Sequence, residues 1–356
     1  MVLPRITIAI HSFGRDARDR LVADVRRGLT QPSKSLSPRW FYDDRGSALF
    51  EAITQLPEYY LTRTEAAILS SVSSEVMAVT RPEAIVELGA GSSEKTRLLI
   101  EAGIGDRLSY FVPLDVSEAA LHQAAHRLAA EFPSLCVYAV VGSFGDHLDR
   151  VPRYGNQLVV FLGSTIGNFY DSELVDFLAS VRRLLQPGDA LLLGVDLVKD
   201  EALLLAAYND EQGVTAEFNV NLLRVLNREL GASFDLDAFE HVALYNREQS
   251  RIEMYLRARR PQRVSIPGAR LSVDFESGEM LLTEISAKFT RESIERRLRA
   301  SGLSLTRWYT DSRGWFALCL SLVREGVEDD SDRRPPTKPG WPPASTLDPR
   351  QRRIKS

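Results

Sequence analysis

The sequence predicts an α/β protein in which a doubly wound, parallel-rich sheet is joined to a second α+β domain. Between residues 85 and 197, apolar segments alternate with helical or turn segments, and parallel strands need such long connections. Within this region, "IVELGAGSSEKTRLL" at 85–99 is typical of a strand, a glycine turn and a helix. Beyond residue 199 the alternation stops and a strand-rich insertion follows, which indicates the second domain.

Composition narrows the class of protein. The 356 residues are 44% hydrophobic and 26% charged, as in folded globular proteins, and a net charge of −4 without a basic stripe disfavours nucleic-acid binding. Cys136 and Cys319 lie far apart and outside any metal-ligand spacing, so we expect neither a disulfide scaffold nor a metal site. The N-terminal residues lack a long apolar core, so we expect no signal peptide, no membrane span and a cytoplasmic protein.

The elements before the sheet are predicted to be helical. In "DRLVADVRRGL" the residues Leu21, Val25 and Leu29 recur at helical spacing. The sheet strands follow as "AIVEL", "SYFVPLD", "LCVYAVVGSF", "QLVVFLG" and "DALLLGVDL". Ligands of such sheets bind at the carboxyl ends of the strands. These ends carry Glu87, Asp115, Phe144, Gly163 and Asp196.

The insertion begins with two helical segments, "EALLLAAYND" and "EFNVNLLRVLNREL", and continues with strands such as "RIEMYLRAR" and "LLTEISAKF". A helix, "RESIERRLRASG", and two strands then return to the edge of the first sheet. We therefore expect a discontinuous sheet domain at 61–198 and 287–325, and a second domain at 15–60 and 199–286. Proline and charge dominate residues 326–356, which predicts a disordered tail.

Three ligands compete for the glycine loop. A phosphate-binding P-loop has glycine before its lysine, and a dinucleotide fingerprint needs a third glycine, but Glu94 stands at both of these positions. S-adenosylmethionine has two cationic groups and no phosphate, so Glu87 and Glu94 favour it. Asp115 ends the next strand, where it either accepts the two ribose hydroxyls or caps the following helix. Ser117 is the better helix cap, which leaves Asp115 for the ligand.

The sequence also resembles a known family along most of its length. The segments that carry the resemblance are "FYDDRGSALFEAITQLPEYYLTRTE", "VELGAGSSEKTRLL", "VPLDVSEAAL", "FLGSTIGNF", "GVDLVKD", "AAYND", "NLLRVLNRELGA" and "TEISAKF", within about residues 19–323. They are similar to the L-histidine Nα-methyltransferases of ergothioneine biosynthesis. The resemblance implies a Rossmann-like methyltransferase domain with a substrate-binding domain. It also implies three methyl transfers from S-adenosylmethionine to the histidine α-amine, giving hercynine, by a monomer with small-molecule partners only.

The resemblance further implies which residues form the site. Those expected to bind the cofactor are Tyr42, Gly89, Lys95, Asp115, Ser143 and Phe144. Those expected to bind histidine are Tyr59, Gly163, Asn168, Tyr208, Met254, Glu284 and Ser286. Tyr42 is also the expected catalytic residue, where its hydroxyl takes a hydrogen bond from the amine or relays a proton. Ser143 departs from the family, which usually has Asp there, so adenine recognition is expected to be looser.

Glu284 and Ser286 have a two-residue spacing that places both on one face of a strand. A carboxylate and a hydroxyl complement the N–H and the ring nitrogen of an imidazole. The alternative is a solvated strand face. Met254 is either a pocket wall or core filler.

The other proposed contacts also have structural alternatives. Asn168 follows two glycines and is either a turn former or, with Tyr208, a neutral donor to the substrate carboxylate. Tyr59 and Tyr208 are otherwise explained by packing alone. Two functional alternatives stay open: methylation of another aromatic amino acid such as tryptophan or tyrosine, and a regulatory protein that binds S-adenosylmethionine without turnover.

Overall fold

The computed structural model describes residues 5–11 and 14–323. Their helices and strands follow in this order: β1 (Ile6–Ile10), α1 (Gly14–Leu29), α2 (Asp44–Thr54), α3 (Tyr60–Thr80), β2 (Ala84–Leu88), α4 (Thr96–Gly103), β3 (Tyr110–Asp115), α5 (Glu118–Glu131), β4 (Cys136–Val141), β5 (Gln157–Phe161), α6 (Asp171–Leu184), β6 (Ala190–Asp196), α7 (Glu201–Tyr208), α8 (Val214–Leu230), β7 (Phe239–Asn246), β8 (Arg251–Ala258), β9 (Gln262–Ile266), β10 (Leu271–Phe275), β11 (Met280–Ala287), α9 (Arg291–Ala300), β12 (Leu303–Thr310) and β13 (Phe316–Val323). Short 3₁₀ helices lie at Pro38–Phe41, Leu148–Arg150, Thr165–Asn168, Leu236–Ala238 and Pro267–Ala269. The tail expected at 326–356 lies outside the described residues. Among the helices that are described, none is both long and apolar enough to cross a membrane.

The main sheet has eight strands in the order β1-β4-β3-β2-β5-β6-β13-β12. The strand pairs from β1 through β6 are parallel, whereas β13 runs antiparallel to both β6 and β12. The predicted α/β fold with a parallel-rich sheet is therefore confirmed. The strand order reverses between β2 and β5, so a crevice for ligands is expected at the carboxyl ends of these two strands.

Helices cover both faces of this sheet because its central strands are apolar on both sides. On β2, Ile85 belongs to one hydrophobic core with Leu69 of α3 and Leu99 of α4, while Val86 belongs to the other core with Leu178 of α6. This alternation follows from the two-residue period of a strand. Burial of each such side chain contributes about 1.5–3 kcal/mol.

Strand β1 differs from the sequence prediction, which placed no element before residue 15. It pairs in parallel with β4, with Ile6 opposite Val137, and its Ile6 and Ile8 side chains are buried. A five-residue strand offers little periodicity of its own, and its partner is remote in sequence. Its presence therefore follows from the free edge of β4 rather than from any local pattern.

The inserted segment forms two smaller antiparallel sheets, β11-β8-β7 and β10-β9. Helix α8 packs against α2 and β7, and the Leu36 N–H donates to the Leu282 carbonyl at 2.9 Å, so the N-terminal segment contacts the insertion. A bulge between Leu282 and Glu284 shifts the register of β11 against β8. The second α+β unit is thus present, while the domain boundaries at 60, 198 and 286 stay predictions.

Candidate active site

A buried carboxylate joins the loops that follow β2 and β5. Glu65, from α3, accepts the Gly163 N–H with both oxygens at 2.9 Å and forms an ion pair with Lys95. Its side chain is fully buried, and a Cβ at Gly194 would lie 2.0 Å from Glu65 Oε1, so glycine is required there. Lys95, a predicted cofactor contact, and Gly163, a predicted substrate contact, therefore lie together at the crevice. The Lys95 ammonium and the Gly163 N–H, however, are both bound to Glu65.

The glycine loop turns sharply after β2. Gly89 and Gly91 have φ values of +69° and +49°, in the left-handed region that glycine adopts without strain. The Gly89 N–H donates to the Leu114 carbonyl at 2.8 Å, which holds the loop against the end of β3. A Cβ at Gly89 would lie 3.6 Å from the Phe144 ring, so these two predicted cofactor residues are neighbours.

Asp115 closes β3 beside this loop. Its Oδ2 accepts the Gly91 N–H and its Oδ1 accepts the Ser117 N–H, each at 2.9 Å, and the Val116 N–H adds a third backbone contact. The Ser117 hydroxyl accepts the Ala120 N–H at 3.3 Å and caps α5, as predicted. Burial raises the pKa of Asp115, and the backbone hydrogen bonds oppose that rise. The acceptor capacity that remains on this carboxylate suits a ribose hydroxyl.

The two glutamates that favoured a cationic ligand lie in different environments. Glu87 is buried beneath the loop, where the Thr96 hydroxyl donates to Oε1, while Oε2 has no hydrogen bond within geometric limits among the described residues. Burial raises the pKa of Glu87 to about 7. Glu94 differs from the prediction, because its carboxylate lies at the surface in an ion pair with Arg127. Glu87 therefore remains a candidate for the cofactor pocket, and Glu94 does not.

Ser143 and Phe144 follow β4 and form a tight turn. The Ser143 hydroxyl accepts the Gly145 N–H at 3.2 Å, and the Ser143 N–H donates to His147 Nδ1 at 3.0 Å. The Phe144 ring packs edge-on against Phe161 at 5.3 Å between ring centroids. In the described part of the chain the Phe144 N–H has no hydrogen-bond partner, so it is available to an adenine nitrogen.

Tyr42 lines an open cleft of about 430 Å³ next to the end of β3. The residues around this cleft are Tyr42, Asp44, Val116, Ser117, Glu118, Ala119 and His122. The Tyr42 ring packs edge-on against Phe50 and Phe218, each at 5.7 Å between centroids. Burial, reinforced by the charges of Glu284 and Asp115, raises the pKa of Tyr42 well above its usual value. The residue is therefore a neutral phenol.

Glu284 lies half-buried on β11, directly opposite Met254 on β8. Its carboxylate accepts no hydrogen bond from the residues that the structure describes, and burial raises its pKa to about 7 against the opposing charge of Lys288. On the neighbouring strand, Glu253 is instead held by Arg251 and Tyr255. Glu284 thus differs from Glu253 in having no protein partner among the described residues, while the choice between a ligand contact and a solvated face stays a prediction. A half-buried carboxyl with a raised pKa and no protein partner is a candidate ligand group.

Tyr208 and Ser286 belong to a buried polar network. Their hydroxyls are 2.8 Å apart, and the Lys288 ammonium lies 2.9 Å from each of them. Lys288 also pairs with Asp196 Oδ2 at 2.9 Å, and Tyr60 donates to the same oxygen at 2.8 Å. Tyr208 is therefore not held by packing alone, and its hydroxyl is fixed by two polar neighbours.

Asn168 and Tyr59 lie beside this network. Asn168 ends the 3₁₀ helix Thr165–Asn168, and its side-chain amide is half-buried with no hydrogen-bond partner among the described residues. A Cβ at Gly167 would lie 2.9 Å from the Ala287 carbonyl oxygen, so this glycine lets the helix approach β11. The rings of Tyr59 and Tyr208 are edge-on at 6.3 Å between centroids, which brings Tyr59 to the same wall.

Two residues of this site were missed by sequence reasoning, and both had left a signal. Lys288 extends the two-residue spacing of Glu284 and Ser286, so it lies on their side of the strand and its continuation. Glu65 lies at a helical position between buried Leu61 and Leu69, where a charge needs a partner. Each of these two patterns places a charged side chain among buried residues, which indicates a buried polar site.

Three features together define a class of protein, the S-adenosylmethionine-dependent methyltransferases. They are the glycine turn after β2, the carboxylate that closes β3, and the antiparallel last strand of an otherwise parallel sheet. The chain's particular place within that class follows from comparison with known families. Residues 21–323 match the model of the family described as "Histidine-specific methyltransferase, SAM-dependent", and the chain belongs to this family.

Individual relatives agree with this assignment. The chain is 50% identical over 318 residues to the histidine N-alpha-methyltransferase of Mycolicibacterium smegmatis, which covers 89% of this chain and 99% of that protein. It is 49% identical over 320 residues to the enzyme of the same name from Mycobacterium tuberculosis, with the same coverage. It is 33% identical over 297 residues to ergothioneine biosynthesis protein 1 of Neurospora crassa, covering 79% of this chain and 33% of that protein.

Proposed function

We propose that this chain transfers methyl groups from S-adenosylmethionine to the α-amine of L-histidine, in up to three rounds that end at the betaine hercynine. This is the first step of ergothioneine biosynthesis. The observation that carries the choice of substrate is the half-buried Glu284 carboxylate, which has no hydrogen-bond partner among the described residues, beside the Ser286 hydroxyl. The Glu284 carboxylate accepts an imidazole N–H, and the Ser286 oxygen, which gives its proton to Tyr208 and accepts from Lys288, has one lone pair left beside the ring.

The residues at the glycine loop fit S-adenosylmethionine. Asp115 keeps acceptor capacity for the ribose, and Gly89 lets the backbone come close. The Phe144 N–H, which has no partner among the described residues, is available to the adenine. Ser143 supplies only a hydroxyl that is already bonded to Gly145, which supports looser adenine recognition. When bound, the cofactor supplies an electrophilic sulfonium methyl group.

The substrate carboxylate is proposed to bind at Tyr208 and Asn168. Both are neutral donors, and the Lys288 charge behind Tyr208 favours an anion. Tyr59, Met254 and Gly163 complete the walls around the substrate. The contacts of Tyr208 and Asn168 with the carboxylate would serve any α-amino acid, whereas Glu284 and Ser286 contact only the ring.

With both ends of histidine held, the α-amine is left facing Tyr42. Only the neutral amine has a lone pair for the methyl group, and Tyr42 stays a neutral phenol because burial raises its pKa. In the first two rounds its oxygen accepts a hydrogen bond from the amine N–H and orients the lone pair. The ammonium formed in each of these rounds loses a proton to solvent through the open cleft beside Tyr42, and the neutral dimethylated amine of the third round has no N–H left to donate. Alignment of this kind contributes roughly 7–11 kcal/mol to lowering a barrier, so a strong base is not required.

All of the residues proposed to bind either substrate lie in one chain, so the proposal needs no second subunit. Neither nucleic acid nor a metal ion takes part in it. A cytoplasmic location stays a prediction.

The proposal is tested by offering the purified chain S-adenosylmethionine with each of the common amino acids and measuring methylated products by mass spectrometry. We expect methylated histidine and release of S-adenosylhomocysteine. Preferential methylation of tryptophan or tyrosine would move the assignment to another aromatic amino acid. Binding of S-adenosylmethionine without product from any amino acid would favour the regulatory alternative.

A further inference from the structure

Lys288 lies at the centre of the polar network but is not among the residues proposed to touch either substrate. Its ammonium donates to the Tyr208 hydroxyl and to the Ser286 hydroxyl and pairs with Asp196, each at 2.9 Å. The side chains of Lys288 and Asp196 are both fully buried. An ammonium has three N–H groups, and all three are used here. Lys288 therefore has no donor left for a ligand and acts only through its neighbours.

The direction of these hydrogen bonds is set by chemistry. An ammonium donates and cannot accept, so the oxygens of Tyr208 and Ser286 must both accept from Lys288. The two hydroxyls also share one hydrogen bond, at 2.8 Å. When Ser286 donates in that bond, both lone pairs of the Tyr208 oxygen are filled. Its proton is then the only group that Tyr208 can offer to a ligand.

We infer that Lys288 is a positioning residue that fixes the Tyr208 hydroxyl as a donor and thereby selects a substrate with an anionic carboxylate. This inference rests on the proposed function, because it concerns recognition of the α-carboxylate of histidine. The cation does not touch the carboxylate. It strengthens the hydroxyl as a donor from behind and prevents Tyr208 from turning a lone pair toward the substrate.

The chain offers a matched control in Lys199. Its ammonium lies 2.5 Å from the other oxygen of Asp196 and 2.7 Å from the Tyr60 hydroxyl. In the part of the chain that the structure describes, it makes no hydrogen bond to Tyr208 or Ser286. Lys199 thus has the same charge and the same acidic partner as Lys288, without the contact on which the inference depends.

The experiment is a double-mutant cycle on histidine affinity, measured by calorimetry in the presence of S-adenosylhomocysteine. Lys288→Met is expected to weaken histidine binding about tenfold or more in the parent chain. In a Tyr208→Phe background the same substitution is expected to change affinity by less than about threefold, because the hydroxyl through which it acts is gone. Lys199→Met is expected to change affinity by less than about threefold.

A second readout separates positioning from general damage to the fold. Histamine has the imidazole and the amine but lacks the carboxylate. Lys288→Met is therefore expected to lower the ratio of the affinity for histidine to the affinity for histamine. If Lys288→Met fails to fold, the pair Lys288→Met with Asp196→Asn removes both charges and is measured in its place. Equal losses in the parent and Tyr208→Phe backgrounds, or an equal loss from Lys199→Met, would overturn the inference. If the parent chain itself neither binds nor methylates histidine, the proposed function fails instead.

Discussion

Removal of the Glu284 carboxylate should lower activity on histidine and raise the stability of the protein at the same time. The carboxylate has no hydrogen-bond partner in the described part of the chain, so Glu284→Ala leaves no protein donor without an acceptor. The loss falls on the substrate, whose ring N–H loses a charged acceptor worth about 1.5–3 kcal/mol. We therefore expect kcat/KM for histidine to fall by about tenfold to a hundredfold.

Loss of the Glu284 carboxylate should also change the choice of substrate. Met254 lies directly opposite Glu284, so Met254→Val combined with Glu284→Ala widens the same part of the pocket. Tryptophan has a larger ring that needs no pair of nitrogen contacts, so its relative activity should rise. The assay is kcat/KM for histidine and for tryptophan on the parent chain, the single variant and the double variant.

Glu253 provides the control for this prediction. It neighbours Glu284 across the sheet, opposite Ile285, but Arg251 and Tyr255 already occupy its carboxylate. Glu253→Ala should therefore destabilise the fold and leave the ratio of histidine to tryptophan activity unchanged. If the ratio fails to move in the Glu284 variants, or moves equally with Glu253→Ala, the assignment of the ring pocket is refuted.

Three further predictions follow from the site. Asp115→Ala should weaken the binding of S-adenosylhomocysteine, measured by calorimetry, by about 1.5–3 kcal/mol. The control Ser117→Ala should lower the stability of α5 and leave that affinity unchanged. Equal affinities for the parent chain and Asp115→Ala would contradict the ribose contact. Ser143→Asp should tighten the same binding by about 1 kcal/mol, since one carboxylate oxygen keeps the Gly145 contact and the other is free for adenine; weaker binding would move Ser143 away from the adenine. Glu284→Gln should raise the urea midpoint of unfolding more at about pH 8 than at about pH 5. The folded state holds this carboxyl at a pKa of about 7, above its usual 4.5, so the parent chain loses stability as the pH rises between those two values. A stability difference that does not depend on pH would show that burial does not penalise the charge.

Residues whose roles depend on local chemistry were predictable from the sequence. Ser117 caps α5 because a hydroxyl at that position reaches the N–H three residues later, and this left Asp115 for another role. The sheet was predictable too, since its apolar segments and long connections leave few alternatives to a parallel arrangement. The two-residue spacing of Glu284 and Ser286 correctly indicated a shared strand face, although spacing alone could not decide whether that face was solvated.

What the sequence did not reveal depends on contacts between distant segments. Glu65 holds Lys95 and Gly163 from a helix that precedes the glycine loop, and nothing near Glu65 specifies those partners. Asp196 was noted only as a strand end, because its pairing with Lys288 joins β6 to the end of the insertion. Glu94 was misjudged because Arg127, which pairs with it, lies on α5, one strand and one helix further along the chain.

The position of the methyl groups on the product tests the central claim most directly. In the proposed binding mode, Glu284 and Ser286 hold the ring and Tyr208 and Asn168 hold the carboxylate, so only the α-amine is left to face the methyl donor. S-adenosylmethionine with a ¹³C-labelled methyl group should give histidine labelled at the α-nitrogen alone, with successive products up to the trimethylated form, as read by NMR and mass spectrometry. Label on a ring nitrogen, or no labelled histidine under conditions where the chain binds both substrates, would contradict the account.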